Sequence, residues 1–250
     1  MKKILEVKNV SLKYHEAETE TNAIKDISFS VSQGEFISIV GPSGCGKSTL
    51  LSIIAGLLNP STGEICCDKA SVGYMLQKDH LFEWRNILQN VVLGLEVKKK
   101  LTDENIAYAK NLLERYGLGD FMNYKPRQLS GGMRQRAALI RTLAIKPEIL
   151  LLDEPFSSLD YQTRLHVTDE IARIIRNEGK TAILVTHDIS EAVSVSDRVV
   201  VLTKRPAIVS SIHEISFGEK GISPLKAREE SEFRNYFNAI WKEMVEDANP

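Results

Sequence analysis

The sequence predicts an α/β fold built on a parallel-sheet core, and three stretches carry that prediction. In the first, residues 35–40 read as a buried strand and lead into Gly41-Pro42-Ser43-Gly44-Cys45-Gly46-Lys47-Ser48-Thr49, followed by Leu50, Ile53, Ile54 and Leu57 at helical spacing. The second is the apolar run of residues 148–152, which ends in Asp153 and Glu154. The third is a strand-length run over residues 181–186 that ends in His187. Continuous apolar strands separated by helical segments are the pattern of a sheet buried on both faces.

Composition narrows the function classes. A chain of 250 residues with 43% hydrophobic and 26% charged residues can bury a sizeable core, as soluble globular proteins do. Its formal net charge of −1 gives no broad attraction for nucleic acid, so no nucleic-acid partner is expected. No apolar run nears the roughly 18 residues that span a bilayer, and the start lacks a long apolar export segment, so a cytosolic location is expected. Cys45 lies in the glycine-rich loop, whereas Cys66 and Cys67 are adjacent and read as plain strand residues, neither a disulfide framework nor a metal set.

Taken in order, residues 4–10 read as a strand, the polar stretch 15–22 as an exposed hairpin, and residues 24–31 as a second strand, together an N-terminal antiparallel β layer. Tyr14 either fills that layer or stacks on an adenine. After the first helix, residues 64–68 and 72–76 are strands, the latter followed by Gln77 at the site end. Residues 78–146 turn helical and form an inserted helical subdomain: Thr102 is placed to cap a helix carrying Ile106, Leu113 and Tyr116, and Lys98-Lys99-Lys100 is a solvated loop. Within it, Phe82, Trp84 and Arg85 either pack locally or form a docking surface. Asp188 and Glu191 have the spacing of a capping box. Residues 198–203 and 208–215 are strand candidates, and a terminal helix over 231–245 places Phe233, Phe237, Ile240, Trp241 and Met244 on one apolar stripe. One domain results: residues 1–77 and 147–215 form the catalytic core with its β layer, 78–146 the helical subdomain and 216–250 a C-terminal helical tail.

The chemistry follows from residue types. G-x-x-x-x-G-K-[ST] opening a helix makes a nest of backbone N–H groups for phosphate oxygens, with Lys47 for the β- and γ-phosphates and the Ser48 hydroxyl for Mg²⁺. Asp153 can hold Mg²⁺ through water, and Glu154 can orient or deprotonate an attacking water. His187, at the next strand end, reaches towards the same phosphate. Ser130-Gly131-Gly132-Met133 opens another helix and makes a second anion cradle. One nucleotide needs no second cradle in its own subunit, so this one points to a neighbour's nucleotide.

These motifs together resemble the nucleotide-binding subunit of ATP-binding-cassette (ABC) transporters, over nearly the whole chain. In that family's terms Gly41 to Thr49 is similar to the Walker A loop of a P-loop NTPase with a RecA-like core, Gln77 to the Q-loop and Leu129 to Met133 to the signature. Leu150 to Glu154 resembles the Walker B strand, Ser158 to Asp160 the D-loop, His187 the switch histidine and Tyr14 the adenine-stacking aromatic. The resemblance implies ATP and Mg²⁺ as ligands, with Gln77 helping to bind Mg²⁺, and a homodimer that sandwiches each ATP between one phosphate loop and the other subunit's Ser130 to Met133. It implies two transmembrane permease subunits, an extracytoplasmic binding protein, and a place on the cytoplasmic face of the membrane. Residues 81–85 and 153–160 and Met133 look most like bacterial importers of the nitrate, sulfonate and taurine group, with Glu83 standing where a proline is usual. A soluble cassette of translation or repair would carry two cassettes or a long coiled-coil insertion, and a non-hydrolysing regulatory cassette would lack Glu154 or His187.

Overall fold

The computed structural model describes residues 2–16, 19–67, 71–218 and 221–246. A three-stranded antiparallel sheet is formed by β1 (Lys3–Glu16), β2 (Thr19–Ser32) and β4 (Thr62–Cys66), with β1 in the middle. The main sheet contains β3 (Phe36–Val40), β5 (Val72–Met75), β6 (Ile149–Asp153), β7 (Thr181–Val185), β8 (Arg198–Leu202) and β9 (Val209–Glu214). Its order is β5-β6-β7-β3-β8-β9, parallel throughout except for the antiparallel β8–β9 pair.

The apolar runs are continuous because both faces of the main sheet are covered. Successive side chains on a strand point to opposite faces. Accordingly Ile149, Leu151, Ile183, Val185, Ile37 and Ile39 join a core with the antiparallel sheet and α1 (Lys47–Ile54). Leu150, Leu152, Ala182 and Leu184 join another on the opposite face. That second core takes in α4 (Asp103–Arg115), α5 (Gly131–Ala144) and α6 (Tyr161–Asn177), with the short α2 (Ile87–Val91) and α3 (Leu93–Val97) beside them. A third cluster joins β8 to α7 (Ile189–Val195) and α9 (Ser231–Glu246), while α8 (Pro224–Ala227) lies against α6 and α7.

Several expectations needed adjustment. The polar stretch after residue 14 is the expected hairpin, but its strands are longer than read: Tyr14 pairs with Thr21 and His15 with Glu20, so both strands run on to within two residues of each other. Ladder hydrogen bonds are made by the backbone, so a polar sequence does not end the pairing. The tip at Ala17 and Glu18, and Asp68 at the end of an expected strand, lie outside the described residues. Thr102 and Ser130 do cap α4 and α5, each accepting an N–H of the first turn. On α4 the buried face is Ala109, Leu112 and Leu113, with Ile106 and Tyr116 only half-buried at its edges. On α9 Ile240 is buried, but Trp241 is 55% exposed and stacks on Phe237 with ring centres 6.1 Å apart.

The layered packing sets a testable contrast. Leu151→Ala, at a fully buried position of β6, should cost about 2–5 kcal/mol through lost contacts and the cavity left behind. Ile212→Ala, on the exposed face of β9, should stay within about 0.5 kcal/mol. Urea unfolding of both variants measures the difference, and equal losses would contradict the two-sided burial of β6.

Candidate nucleotide site

Three adjacent strands bring the expected residues to one edge of the sheet. Asp153 pairs with Val185 across β6–β7, and Val185 with Ile39 across β7–β3, so the three carboxyl ends are level. With about 4.8 Å between neighbouring strands, Glu154 after β6, His187 after β7 and the loop after β3 lie within roughly 10 Å sideways. That edge is where open α/β sheets bind ligands.

The loop from Gly41 to Thr49 is held tightly. Cys45 N–H donates to Pro42 O at 3.3 Å, and Gly46 takes φ 126°, where an added Cβ would meet the Ile24 side chain at 2.8 Å. Only glycine occupies that position without strain. Burial pushes the Cys45 thiol above its ordinary range, so it fills space as a neutral group. Lys47 is 6% exposed and folds back over the loop, donating to Gly41 O at 2.8 Å and Pro42 O at 2.9 Å. No side chain caps α1, and no acid stands in its first turn. Its first N–H groups are therefore left for an external acceptor.

The carboxylates divide into two pairs of contacts. Ser48 Oγ donates to Asp153 Oδ1 at 2.8 Å, and Tyr74 OH donates to Asp153 Oδ2 at 3.1 Å. Burial, with Asp153 beside it, pushes the Tyr74 hydroxyl up to about 12, so it remains a donor. Glu154 lies 3.2 Å from His187 Nδ1 through Oε2. Its backbone takes φ 43°, a left-handed conformation uncommon for a residue with a side chain, while its N–H donates to Val185 O. This turn at the strand end aligns the carboxylate with the histidine of the next strand.

The remaining expected residues sit at graded distances from this centre. Tyr14 is partly exposed and its OH is 3.4 Å from Thr49 Oγ1, which places the ring beside the phosphate loop rather than in the β-layer core. Gln77 reaches the site indirectly: its Nε2 donates to Ser157 Oγ at 3.4 Å, and Ser157 Oγ donates to Glu154 O at 3.0 Å. Asp160 caps α6 by accepting Thr163 N–H at 3.1 Å; bonds to Thr163 hold its carboxyl below the ordinary range. Ser130 caps α5 and accepts Met133 N–H at 3.4 Å; among the described residues no hydrogen bond joins Ser130, Gly131, Gly132 or Met133 to the phosphate loop. Instead Gly131 packs on Leu159, and Gly132 on Val167 of α6. A cavity of about 440 Å³ opens at the other end of β3, between Phe36, Arg176, Lys180 and Phe217, and holds none of the expected site residues.

Sequence reading missed Tyr74, Ser157 and Glu191. Tyr74 belongs to an apolar strand run, and only the β5–β6 register, which pairs it with Leu151, brings it beside Asp153. Asp188 caps α7 as its spacing predicts, accepting from Ser190 and Glu191 N–H, but the Glu191 side chain does not close a capping box. It turns inward, 3% exposed, and accepts from Thr186 Oγ1 at 2.7 Å. Burial pushes its carboxyl up to about 7.

With this geometry in place, the comparisons assign the class of protein. The ABC transporter family pattern matches residues 24–157. The chain belongs to that family and is an ATP-hydrolysing cassette. It is 46% identical to the uncharacterized ABC transporter ATP-binding protein YtlC of Bacillus subtilis, over 96% of this chain and 95% of that one. It is also 38% identical to the nitrate transport protein NasD of Klebsiella oxytoca, over 83% of each. Among solved structures it matches a dimeric post-hydrolysis state of the ATP-binding cassette MJ0796 bound to ADP and Pi, with a TM-score of 0.70 and 31% identity. That match covers 85% of this chain and 99% of the other. Among the described residues no helix is long and apolar enough to cross a membrane.

Glu191 makes stability depend on pH in a defined direction. Its carboxyl, raised from an ordinary 4.5 to about 7, binds more protons in the folded than in the unfolded chain between those values. Stability should therefore fall as pH rises through that window. Glu191→Gln should remove that fall, which is worth at most about 3 kcal/mol at 1.36 kcal/mol per pH unit. Urea unfolding of variant and parent at several pH values between 4.5 and 8 checks it; parallel curves would refute the assignment.

Proposed function

We propose that this chain is the ATP-driven motor of an importer for a small solute, acting as a head-to-tail homodimer on the cytoplasmic face of the membrane. The observation that carries the dimer is the pair of unjoined helix starts. The start of α1 is uncapped and follows the phosphate loop, whereas Ser130, Gly131 and Gly132 form a second cradle with no bond to that loop. A second copy brings the two together around one nucleotide. The MJ0796 cassette, solved as a dimer with ADP and Pi, supports a dimer, and relatives named for nitrate transport and for taurine import support uptake of a small solute such as nitrate, a sulfonate or taurine.

The roles follow from the contacts. Lys47 exchanges its two loop carbonyls for β- and γ-phosphate oxygens, a stronger charge-assisted pairing. The α1 N–H groups hold phosphate oxygens, and Tyr14 stacks on the adenine. Glu154 orients and deprotonates the attacking water, with His187, held by Glu154, on the γ-phosphate side. Mg²⁺ would be held by Ser48 and Gln77, with Asp153 through water; such hard oxygen donors suit it, and when bound it neutralises phosphate charge. The partner's cradle completes the site, with Asp160 at the shared boundary.

Residues 1–77 and 147–215 then act as the catalytic core, 78–146 as the helical subdomain and 216–250 as a tail. The permease contact is assigned to the segment around Trp84, which is 72% exposed and stacks on Phe82 with ring centres 4.6 Å apart. A large aromatic ring held out on a fixed platform is a typical interface anchor. Two permease subunits, served by an extracytoplasmic binding protein, are the partners in this reading.

Glu154→Gln should retain ATP binding, form a stable ATP-dependent dimer in size-exclusion chromatography and lose about 10²–10⁴ in turnover. Normal turnover would remove Glu154 from its role. Ser130→Arg should stop hydrolysis while the lone subunit still binds nucleotide; loss of that binding would put Ser130 in its own subunit's site. Co-expression with candidate permease subunits and purification from detergent-solubilised membranes tests the importer reading. ATPase activity stimulated by a loaded binding protein supports it, and a chain that hydrolyses ATP while ignoring such subunits counts against it.

A further inference from the structure

Arg164, on α6, stands outside the site described above, yet it connects two of its segments. Its Nη2 donates to Leu159 O at 3.0 Å, its Nη1 lies 3.7 Å from Asp188 Oδ2, and its Nε lies 3.9 Å from Glu191 Oε1. The Nε is buried without a hydrogen-bond partner. From the other side, Thr186 Oγ1 donates to Glu191 Oε2 at 2.7 Å and accepts Asp188 N–H at 3.0 Å. Both chain neighbours of His187 are therefore fixed by one cluster, buried at Thr186 and Glu191 and half-buried at Arg164 and Asp188. At the opposite end, Leu159 presses on Gly131, whose Cβ position would be 3.0 Å from Leu159 Cδ2. The contacts run continuously from Gly131 through Leu159, Arg164 and Glu191 to the residues flanking His187.

We propose that Arg164 and Glu191 are positioning residues for ATP hydrolysis, which make the turn at residues 157–160 and the His187 turn move as one unit. The proposal rests on the reading of Glu154 and His187 as the hydrolytic pair. The groups facing Glu191 are Arg164 from α6, Asp188 from its own helix cap, the Thr186 hydroxyl from the end of β7, and Arg228 just beyond α8. Arg164 and Arg228 are the cations of the cluster, Asp188 and Glu191 its carboxyl groups, and burial keeps the Glu191 proton on up to about pH 7. The gap of 3.9 Å between Arg164 Nε and Glu191 is about 1 Å beyond a hydrogen bond. A small approach of α6 to the His187 turn closes it, and a second cassette pressing on the residues around Leu159 supplies such a push. Placing a reacting group wrongly by about 1 Å costs on the order of 10² in rate, which gives this link leverage on turnover.

The test measures steady-state ATP hydrolysis, nucleotide affinity by fluorescence titration and thermal unfolding for the full chain and for Arg164→Ala, Arg164→Lys, Glu191→Gln and the double variant Arg164→Ala/Glu191→Gln. Arg164→Ala should lower kcat at least about tenfold with nucleotide affinity within about twofold. Arg164→Lys, which keeps the charge but not the forked donors, should fall in between. The double variant should be no worse than the weaker single variant, because the two residues act as one unit. A kcat within about twofold of the parent in Arg164→Ala, or multiplying losses in the double variant, overturns the proposal. If Arg164→Ala does not fold, Arg164→Lys decides: parental kcat overturns the proposal and a reduced kcat at matched melting temperature supports it. A parent chain that binds no ATP, or whose turnover survives Glu154→Gln, overturns the hydrolytic reading itself and this proposal with it, and the Glu154→Gln control identifies that case.

Discussion

The structure depends on the level register of β6, β7 and β3. Parallel ladders align Asp153, Val185 and Ile39, and Glu154, His187 and Gly41 at the start of the glycine-rich loop follow within one residue or two of that line. A one-residue slip of β6 would turn Leu150 and Leu152 to the wrong core and carry Glu154 away from His187. The hydrophobic alternation that keeps the sheet folded is thus also what positions the carboxylate. Packing and chemistry are under one constraint.

Helix starts then separate the places where an anion can sit from those where it cannot. Asp160 and Asp188 close α6 and α7 with their own carboxylates, which satisfies the first N–H groups and adds negative charge there. The start of α1 has neither a capping side chain nor an acid. Ser130 closes α5 with a neutral hydroxyl at 3.4 Å, a looser cap that leaves the helix end electropositive. The two helix starts to which phosphate binding is assigned are both free of carboxylate, as are the starts of the short α2 and α8.

Much of this was legible in the sequence because the signals are local. A buried strand, a glycine turn and a helix start are contiguous, as are the run that ends in Asp153 and Glu154 and the one that ends in His187, so type and position could be read together. What could not be read depends on register or on side-chain direction. Tyr74 is an apolar-strand residue until the β5–β6 pairing sets it on Asp153. Glu191 has the spacing of a capping partner, but the Asp188 N–H that a capping box needs donates to Thr186 Oγ1, and that same hydroxyl donates to Glu191 instead. Trp241 fits the apolar stripe of α9 by periodicity, although the surface available beneath the helix is taken up by Ile240 and its neighbours. Periodicity reports which side of a helix faces inward, and it does not report how wide the receiving surface is.

The left-handed backbone of Glu154 has an evolutionary corollary. At φ 43° most residues with a side chain pay roughly 1–2 kcal/mol, whereas glycine pays almost nothing and asparagine or aspartate pays little. A lineage released from the need to turn over ATP would therefore gain stability by drifting at this position towards glycine, asparagine or aspartate. In the role proposed for Glu154, retention of glutamate on such a backbone would be selection acting against the fold's own preference. Position 154 is thus a place where the loss of an activity would leave a directional trace among descendants.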